Sequence, residues 1–442
     1  MPWRELPHTI EIEPTNSCNL RCRMCHVSFM PDEPRPTLDV ALLDKLDCLK
    51  GAYFSVGSSF EPMMHRDFAS IIRKITDIGG AIELISNGSL ISNDIASALL
   101  DCDLRLMTFS FDGIKPATYE HIRRRSNYPK TMDAILNLRG RFTGRSTEFA
   151  INSTIMRRNV PEIVESVAFW DAAGFDLLRF INMVVRNNEP ELIRESLYPD
   201  EIRQQYRKEL DAAALDVIAE RRNITLTNPW FRQSPIAAEF PRNVLGSIVV
   251  SDRPGARVPH NVRRDQLGAG PGMSFSCNSP WTFARISHDG DVQLCYQFSI
   301  GNLKTQSFEE IWFGDKAEAV RRRVIAERQL CETCDYYRFC INGLGIDTDD
   351  KESYLAGPLL AGIDSIDFEA GTMTAPETPP ILIETIGAFN IVRFRGGYLG
   401  VPHAFGSVDL SQQDVGTMSG LITADNLHGA RRLVRAAQKT TS

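Results

Sequence analysis

The stretch that decides the fold, TIEIEPTNSCNLRCRMC, spans residues 9–25. Its first part, TIEIEP, is a short run in which apolar residues alternate with polar ones, a pattern that predicts a β-strand. Three cysteines follow at once: Cys18, Cys22 and Cys25. Because three cysteines cannot all pair as disulfides, the sequence predicts that the loop after the first strand binds a metal.

Further strands and helices alternate along the next 160 or so residues of the chain. Five more strand candidates follow at 52–57, 81–86, 104–111, 148–155 and 176–185. Helix-like segments with apolar residues three and four apart separate them, at 38–50, 67–79, 92–101, 116–125, 131–142 and 159–174. Six strands that alternate with helices indicate parallel βα units. We therefore expect an α/β fold, a partial (βα)6 barrel; an open doubly wound sheet is the alternative.

Composition narrows the class of protein. The 442 residues are 43% hydrophobic and 24% charged, with a formal net charge of −7, which is typical of a globular protein and argues against nucleic-acid or anionic-membrane binding. No apolar run approaches the roughly 18 residues that span a bilayer, and the charged start lacks a secretory signal. We expect a cytoplasmic protein whose thiols stay reduced.

The cysteine spacing fits two kinds of metal site. A [4Fe–4S] cubane takes thiolate ligands at four corners, so three cysteines on one loop would leave one iron open. The alternative is a zinc site completed by His26 or by a distant residue. Adjacent Cys25 and His26 are poorly placed to bind one ion together within so short a loop.

Five more cysteines form a second group, from Cys277 to Cys340. Asp289-Gly290 predicts a hairpin turn between two short strands, and SFEEIW at 307–312 predicts a helix. Taken alone, this segment fits a zinc ribbon or an iron–sulfur site.

Taken together, these motifs resemble the radical S-adenosylmethionine (SAM) superfamily. The similarity rests on Cys-x3-Cys-x2-Cys after the first strand, followed by the βα units, and covers residues 9–183. It implies that Cys18, Cys22 and Cys25 bind a [4Fe–4S] cluster whose open iron binds SAM. Reductive cleavage of SAM would release a 5′-deoxyadenosyl radical that removes a hydrogen atom from the substrate.

The resemblance also implies SAM-binding residues at the ends of successive strands. GSSFEPMM (57–64) resembles the glycine-rich family segment that ends in Glu-Pro, with Ser59-Phe60-Glu61 where Gly-Gly-Glu is common. SNGS (86–89) and SFDG (110–113) resemble the turns after the third and fourth strands. The residues that we expect at the SAM site are Glu61, Asn87, Ser110, Asp112 and Asn152.

The second cysteine group resembles the SPASM/twitch extension of radical SAM enzymes, which holds auxiliary iron–sulfur clusters. The full version uses seven cysteines for two clusters, whereas position 344 here is Leu344 and no cysteine follows Cys340. We therefore predict one auxiliary [4Fe–4S] cluster, the twitch arrangement, with ligands Cys277, Cys295, Cys331 and Cys334. Cys340 is left over, as core, as an incomplete ligand or as a hydrogen donor to a substrate radical.

These segments predict five regions along the chain. They are a partial barrel (1–198), a helix and loop connector (199–276), a small α+β auxiliary-cluster module (277–345), an acidic linker (346–376) and a short α+β appendage (377–442).

The expected activity is oxidation of a small metabolite, such as a sugar, a cyclitol or a nucleotide derivative, or formation of a new bond in it, with the auxiliary cluster as electron acceptor. A peptide-modifying maturase, by cross-linking or epimerisation, and a non-catalytic iron–sulfur electron carrier are the alternatives. A low-potential donor such as flavodoxin or ferredoxin would reduce the first cluster. Arg123, Arg179 and Arg285 are candidate anchors for a carboxylate or phosphate of the substrate.

Overall fold

The structure of the protein is a computed structural model. It describes residues 5–30, 35–183, 190–197, 199–228, 231, 279–294, 298–326, 365–367, 372–374, 381–394, 397–405, 420–424 and 427–440. Two compact units divide the chain, one of residues 1–183 and 197–328 and the other of residues 184–196 and 329–442.

The described residues of the first unit form twelve strands. They are β1 (Thr9–Ile12), β2 (Arg21–Cys22), β3 (Tyr53–Val56), β4 (Ala81–Ser86), β5 (Leu104–Ser110), β6 (Arg123–Arg124), β7 (Glu148–Ile155), β8 (Leu177–Asn182), β9 (Thr225–Thr227), β10 (Phe283–Ile286), β11 (Asp291–Gln293) and β12 (Ser299–Asn302). Ten of them form one sheet in the order β12-β11-β10-β1-β3-β4-β5-β7-β8-β9, and β2 pairs with β6.

The described helices of the first unit include those predicted at 67–79, 92–101, 116–125, 131–142 and 159–174. They are α1 (Phe68–Asp77), α2 (Asn93–Asp101), α3 (Pro116–Ile122), α4 (Tyr128–Arg141), α5 (Ile163–Ala172), α7 (Asp200–Ala219), α8 (Ser279–Thr282), α9 (Phe308–Trp312) and α10 (Asp315–Ala326), while α6 (Pro190–Arg194) belongs to the second unit. Four 3₁₀ segments are described in the first unit: His26–Phe29, Val40–Leu49, Pro62–Met64 and Val160–Glu162.

The order of the parallel strands confirms the barrel-type fold. All six predicted strands are present, and β1, β3, β4, β5, β7 and β8 lie side by side in chain order, each parallel to the next. A doubly wound sheet would reverse its strand order at a switch point, and these six strands show no reversal. The doubly wound alternative is therefore wrong.

One predicted helix has a different geometry. The segment 38–50 forms a 3₁₀ helix over Val40–Leu49. Its buried leucines include Leu43, Leu46 and Leu49, which are spaced by three residues. Because a 3₁₀ helix has three residues per turn, this spacing places all three on one face.

The two faces of the sheet differ in chemistry. Ile10 and Ile12 of β1 are fully buried on one face, where the neighbouring Phe54 lies close to Ile75 of α1. Glu11 and Glu13 alternate with them and therefore point to the other face, which is the interior of the barrel. The barrel interior is thus lined by buried acidic side chains at β1.

The hairpin of the second cysteine segment is part of the same sheet. Gly290, with φ of +81°, forms the predicted turn between β10 and the antiparallel β11. β10 lies parallel to β1, with Glu11 opposite Arg285. Sequence patterns predict a hairpin here, but not that its first strand extends the barrel sheet.

The second unit contains a four-stranded antiparallel sheet of β15 (Ile381–Ile386), β16 (Phe389–Phe394), β17 (Gly397–Pro402) and β18 (Ile422–Ala424), and a separate pair, β13 (Ser365–Asp367) and β14 (Thr372–Thr374). The last helix, α11 (Leu427–Thr440), packs through Ala430 and Val434 against Ile391 and Tyr398. A short 3₁₀ turn spans His403–Phe405. Throughout the described part of the chain, every helix is too short or too polar to cross a bilayer.

Candidate active site

The cysteine loop is attached to the segment that follows α3 through a short pair of strands. In this pair, β2 and β6, Cys22 lies opposite Arg123. The loop is held further by Arg23, whose backbone N–H donates to the carbonyl of Ile122 over 2.9 Å and whose Nε donates to the carbonyl of His121 over 2.7 Å. A fixed loop reduces the entropy cost of arranging three ligands around a metal group.

The three thiols lie near one another but are not arranged for a single ion. Cys22 is buried, and Cys18 and Cys25 are half-buried. Within the described ranges, no three His, Cys, Asp or Glu side chains converge on a site for one metal ion. A zinc site needs its donors about 2.3 Å from one centre, whereas a cubane binds each thiolate at a different iron. Three soft thiolate donors on one loop therefore fit a [4Fe–4S] cluster.

Burial keeps the Cys18 and Cys22 thiols protonated unless a metal binds them. It raises the pKa of Cys18 to about 11 and the pKa of Cys22 to about 12. Metal ligation deprotonates such thiols outright, so loading of this loop releases protons and is favoured by higher pH.

A buried ion pair lies next to Cys22 of the cysteine loop. Arg123 Nη2 lies 2.8 Å from Asp112 Oδ2, and the two side chains are 7% and 0% exposed. The other terminal nitrogen, Nη1, lies 3.9 Å from Cys22 Sγ, and the backbone N–H of Thr154 donates to Asp112 Oδ1 over 2.7 Å. Burial would lower the pKa of Arg123, but the Asp112 carboxylate raises it above its ordinary value.

This pair changes the interpretation of two predicted residues. Asp112, which we expected to contact SAM, has its carboxylate bound to Arg123 and to the β7 backbone. Arg123, which we expected to anchor the substrate, is buried and contacts Asp112 and Cys22. Both side chains are therefore engaged inside the protein, and their predicted contacts with ligands stay predictions.

Glu61 follows β3 and Asn87 follows β4. Together they connect the ends of these two strands to the cysteine loop. The Glu61 carboxylate accepts hydrogen bonds from Ser86 Oγ (2.8 Å), from the backbone N–H of Asn87 (2.7 Å) and from that of Met63 (3.2 Å). Asn87 Nδ2 donates to Asn19 Oδ1 over 2.9 Å and lies 3.9 Å from Cys18 Sγ. Burial raises the pKa of the Glu61 carboxyl to about 7.

Glu13 supports the segment that leads to Glu61. Its Oε1 accepts hydrogen bonds from the backbone N–H groups of Ser58 (2.7 Å) and Ser59 (2.8 Å). The preceding Gly57 has φ of +73°, and a β-carbon there would lie 2.6 Å from the Pro62 ring. The segment therefore requires glycine at its first position.

The remaining predicted residues lie within the barrel. Arg179 Nη1 donates to Asn152 Oδ1 over 3.2 Å, and Ser110 lies opposite Asn152 in the strand register. Arg285 donates through Nε to Glu11 Oε1 over 2.8 Å and through Nη1 to Gln293 Oε1 over 3.1 Å. Ser110 and Asn152 are half-buried, so they remain accessible to a ligand.

Cys277, Cys295, Cys331, Cys334 and Cys340 lie outside the described residues. Their ligand roles stay predictions.

Sequence reasoning missed three residues that hold the site together, Glu13, Asn19 and Ser86. Glu13 carried a signal, because acidic residues alternate with isoleucine along β1 and indicate a polar interior face. Asn19 and Ser86 carried none, since their partners, Asn87 and Glu61, are distant in sequence.

Comparison with protein-family models identifies two domains. The model of the radical SAM superfamily matches residues 12–169, and that of SPASM, an iron–sulfur cluster-binding domain, matches residues 277–335. These matches confirm the superfamily and the auxiliary module predicted from the cysteine motifs. They also confirm the predicted cofactors, a SAM-binding [4Fe–4S] cluster and an auxiliary iron–sulfur cluster.

Individual proteins are similar over about three quarters of the chain. An AdoMet-dependent heme synthase of Oleidesulfovibrio alaskensis is 24% identical over 337 residues, 74% of this chain and 80% of the relative. An Fe-coproporphyrin III synthase of Methanosarcina barkeri is 22% identical, over 74% and 80%. The solved structure of anSMEcpe with bound AdoMet and a peptide has a TM-score of 0.50 and 17% identity, covering 76% of this chain and 88% of that chain. The structural likeness shows the fold.

Proposed function

The chain is a radical SAM enzyme with a SPASM domain, and we propose that it oxidises a small polar metabolite or forms a bond within it. When bound, the cluster supplies the electron that cleaves SAM to a 5′-deoxyadenosyl radical, which abstracts a substrate hydrogen atom. The protein supplies the loop that holds the cluster, the strand ends that hold SAM and the barrel interior that holds the substrate.

One observation carries the proposal: the ends of two strands, β4 and β5, are linked to the cysteine loop. Asn87 follows β4 and contacts Asn19 and Cys18, while Asp112 follows β5 and reaches Cys22 through Arg123. Ligands of α/β barrels bind at the carboxyl ends of strands. A purely electron-carrying loop would not need these links.

We assign the predicted SAM-binding residues different tasks. Ser110 and Asn152 are half-buried neighbours and suit direct hydrogen bonds to SAM. Glu61 and Asp112 are buried and fix the positions of the turns after β4 and β5. Asn87 joins the first of these turns to the cysteine loop.

Four cysteines are the proposed ligands of the auxiliary cluster: Cys277, Cys295, Cys331 and Cys334. All four fall within residues 277–335, the range of the SPASM match, and Cys340 falls beyond it. A cluster with four protein ligands has no open iron, which suits electron acceptance from a substrate radical. Cys340 is then available as a hydrogen donor or as core. The electron donor to the first cluster is proposed to be flavodoxin or ferredoxin.

The barrel interior favours a substrate with hydrogen-bond donors. The described residues there include the buried Glu11, Glu13 and Glu83, together with Arg179 and Arg285. Arg285 is bound to Glu11. Hydroxyl or amino groups would pair with such carboxylates, whereas several substrate carboxylates would be repelled.

A tetrapyrrole substrate is the second candidate. The similarity to proteins named as heme synthase and Fe-coproporphyrin III synthase favours it. The acidic interior at β1 argues for the polar metabolite instead, since carboxylated tetrapyrroles carry negative charge.

Anaerobic reconstitution tests the activity. We expect reduced protein with SAM to form 5′-deoxyadenosine slowly, and we expect two cubanes by iron and sulfide analysis. Cys22→Ala should abolish the product, whereas Cys48→Ala, the same change outside the loop, should not. Equal activity in both variants would contradict the cluster assignment.

Labelled substrates then test the substrate class. Pools of deuterated hydroxylated metabolites and deuterated Fe-coproporphyrin III are incubated separately with enzyme and SAM. Deuterium transfer from the hydroxylated metabolites into 5′-deoxyadenosine supports the proposal, whereas transfer from the porphyrin alone supports the second candidate. Solvent deuterium at an inverted carbon, with no net oxidation, would show epimerisation.

A further inference from the structure

Arg123 occupies an unusual position for an arginine. Sequence patterns place it in a run of three arginines, which is typical of a solvated helix end. In the structure its side chain is 7% exposed, and β6 places it directly opposite Cys22 on β2. The adjacent Arg124 is exposed and donates to the carbonyl of Arg21. The two neighbours therefore carry the same charge in different surroundings.

Not every N–H donor of the Arg123 guanidinium has an acceptor among the described residues. Nη2 binds Asp112 and Nη1 lies 3.9 Å from Cys22 Sγ. Its Nε is buried and has no hydrogen-bond acceptor among the described residues. A buried donor without an acceptor is costly, and a thiolate-bound iron–sulfur cluster carries sulfur acceptors. The donor set around Cys22 therefore fits the cluster that the radical SAM domain binds.

Charge determines what such a contact does. A [4Fe–4S]²⁺ core with three thiolates has a net charge of −1, and one-electron reduction makes it −2. A cation and N–H donors close to a ligand sulfur stabilise the reduced form more than the oxidised form. The nearby Asp112 carboxylate opposes this effect and holds the guanidinium in place.

We propose that Arg123 is a positioning residue that raises the reduction potential of the SAM-binding cluster through its contact with Cys22, and that Asp112 limits this effect. The inference rests on the proposed role of Cys22 as a cluster ligand. In this inference the Asp112–Arg123 pair sets the reduction potential of the cluster in addition to supporting the structure of the loop.

The test is a redox titration of the reconstituted full-length chain with Ti(III) citrate, followed by electron paramagnetic resonance. The signal of the SAM-binding cluster is identified by its change on addition of SAM. Arg123→Gln should lower the ratio of reduced to oxidised cluster at a fixed potential by about tenfold, which is ~59 mV for one electron. Arg123→Lys should lower the midpoint potential by less, and Asp112→Asn should raise it.

Arg124→Gln is the matched control, because it removes the same charge from the exposed neighbour. If the midpoint potential of Arg123→Gln equals that of Arg124→Gln at equal iron content, the inference is overturned. If Arg123→Gln does not retain the cluster, Asp112→Asn decides: a higher potential supports the inference, and an unchanged or lower one overturns it. A wild-type protein without a SAM-sensitive signal would instead refute the cluster assignment itself.

Discussion

Breaking the buried Asp112–Arg123 pair should cost far more stability than breaking an ion pair at the surface. The two side chains are 0% and 7% exposed with 2.8 Å between Oδ2 and Nη2. At an effective dielectric constant of about 20, unit charges about 4 Å apart attract by about 4 kcal/mol. Removal of one partner also leaves the other charge buried and unpaired, so Asp112→Asn and Arg123→Met should each cost about 3–5 kcal/mol.

The double variant separates pairing from burial. Asp112→Asn combined with Arg123→Met leaves no unpaired charge, so its cost should be similar to that of one single change and the coupling energy should exceed about 2 kcal/mol. The surface pair Arg73–Asp94, at 2.6 Å and with side chains 52% and 67% exposed, is the control. Its coupling energy in the same cycle should be below about 1 kcal/mol.

Urea unfolding of the iron-free chain, followed by tryptophan fluorescence, is the assay. All five tryptophans fall in the sequence ranges of the first unit, so the signal reports the unit that contains the pair. Additive costs for Asp112→Asn and Arg123→Met, or a coupling energy no larger than that of the surface pair, would refute the reasoning.

Three further predictions concern other positions. Burial raises the pKa of Glu61 from 4.5 to about 7, so the folded state holds this proton more tightly and the free energy of unfolding falls as pH rises between these values. Glu61→Gln should remove up to about 3 kcal/mol of this fall. Parallel pH profiles of unfolding for the wild type and the variant would contradict this prediction. Gly57→Ala should reduce stability and SAM affinity more than Gly51→Ala in calorimetry, because both glycines have positive φ but only the first meets other atoms. Ser307→Ala removes a capping box with Glu310 and should cost about 1 kcal/mol in urea unfolding, whereas a loss below about 0.3 kcal/mol would show that this cap is dispensable.

Local patterns in the sequence were enough to predict the fold class. Alternating strands and helices, each with its own periodicity, predict the parallel units from β1 to β8, and Asp289-Gly290 predicts the hairpin. These signals are local because a strand or helix buries one face and its side chains repeat along the chain. The cysteine spacing is equally local, since three ligands of one cluster fit on one short loop.

Only the tertiary structure decided how the side chains of the site are used. Arg123, predicted as a substrate anchor, is buried beside Cys22 because β6 pairs with β2, and Arg285 enters the barrel because β10 pairs with β1. Asp112 and Glu61 were identified by their motifs, yet their partners Thr154 and Ser86 lie 42 and 25 residues further along the chain. Burial and charge pairing depend on which strands become neighbours, and no periodicity within a single segment records that choice.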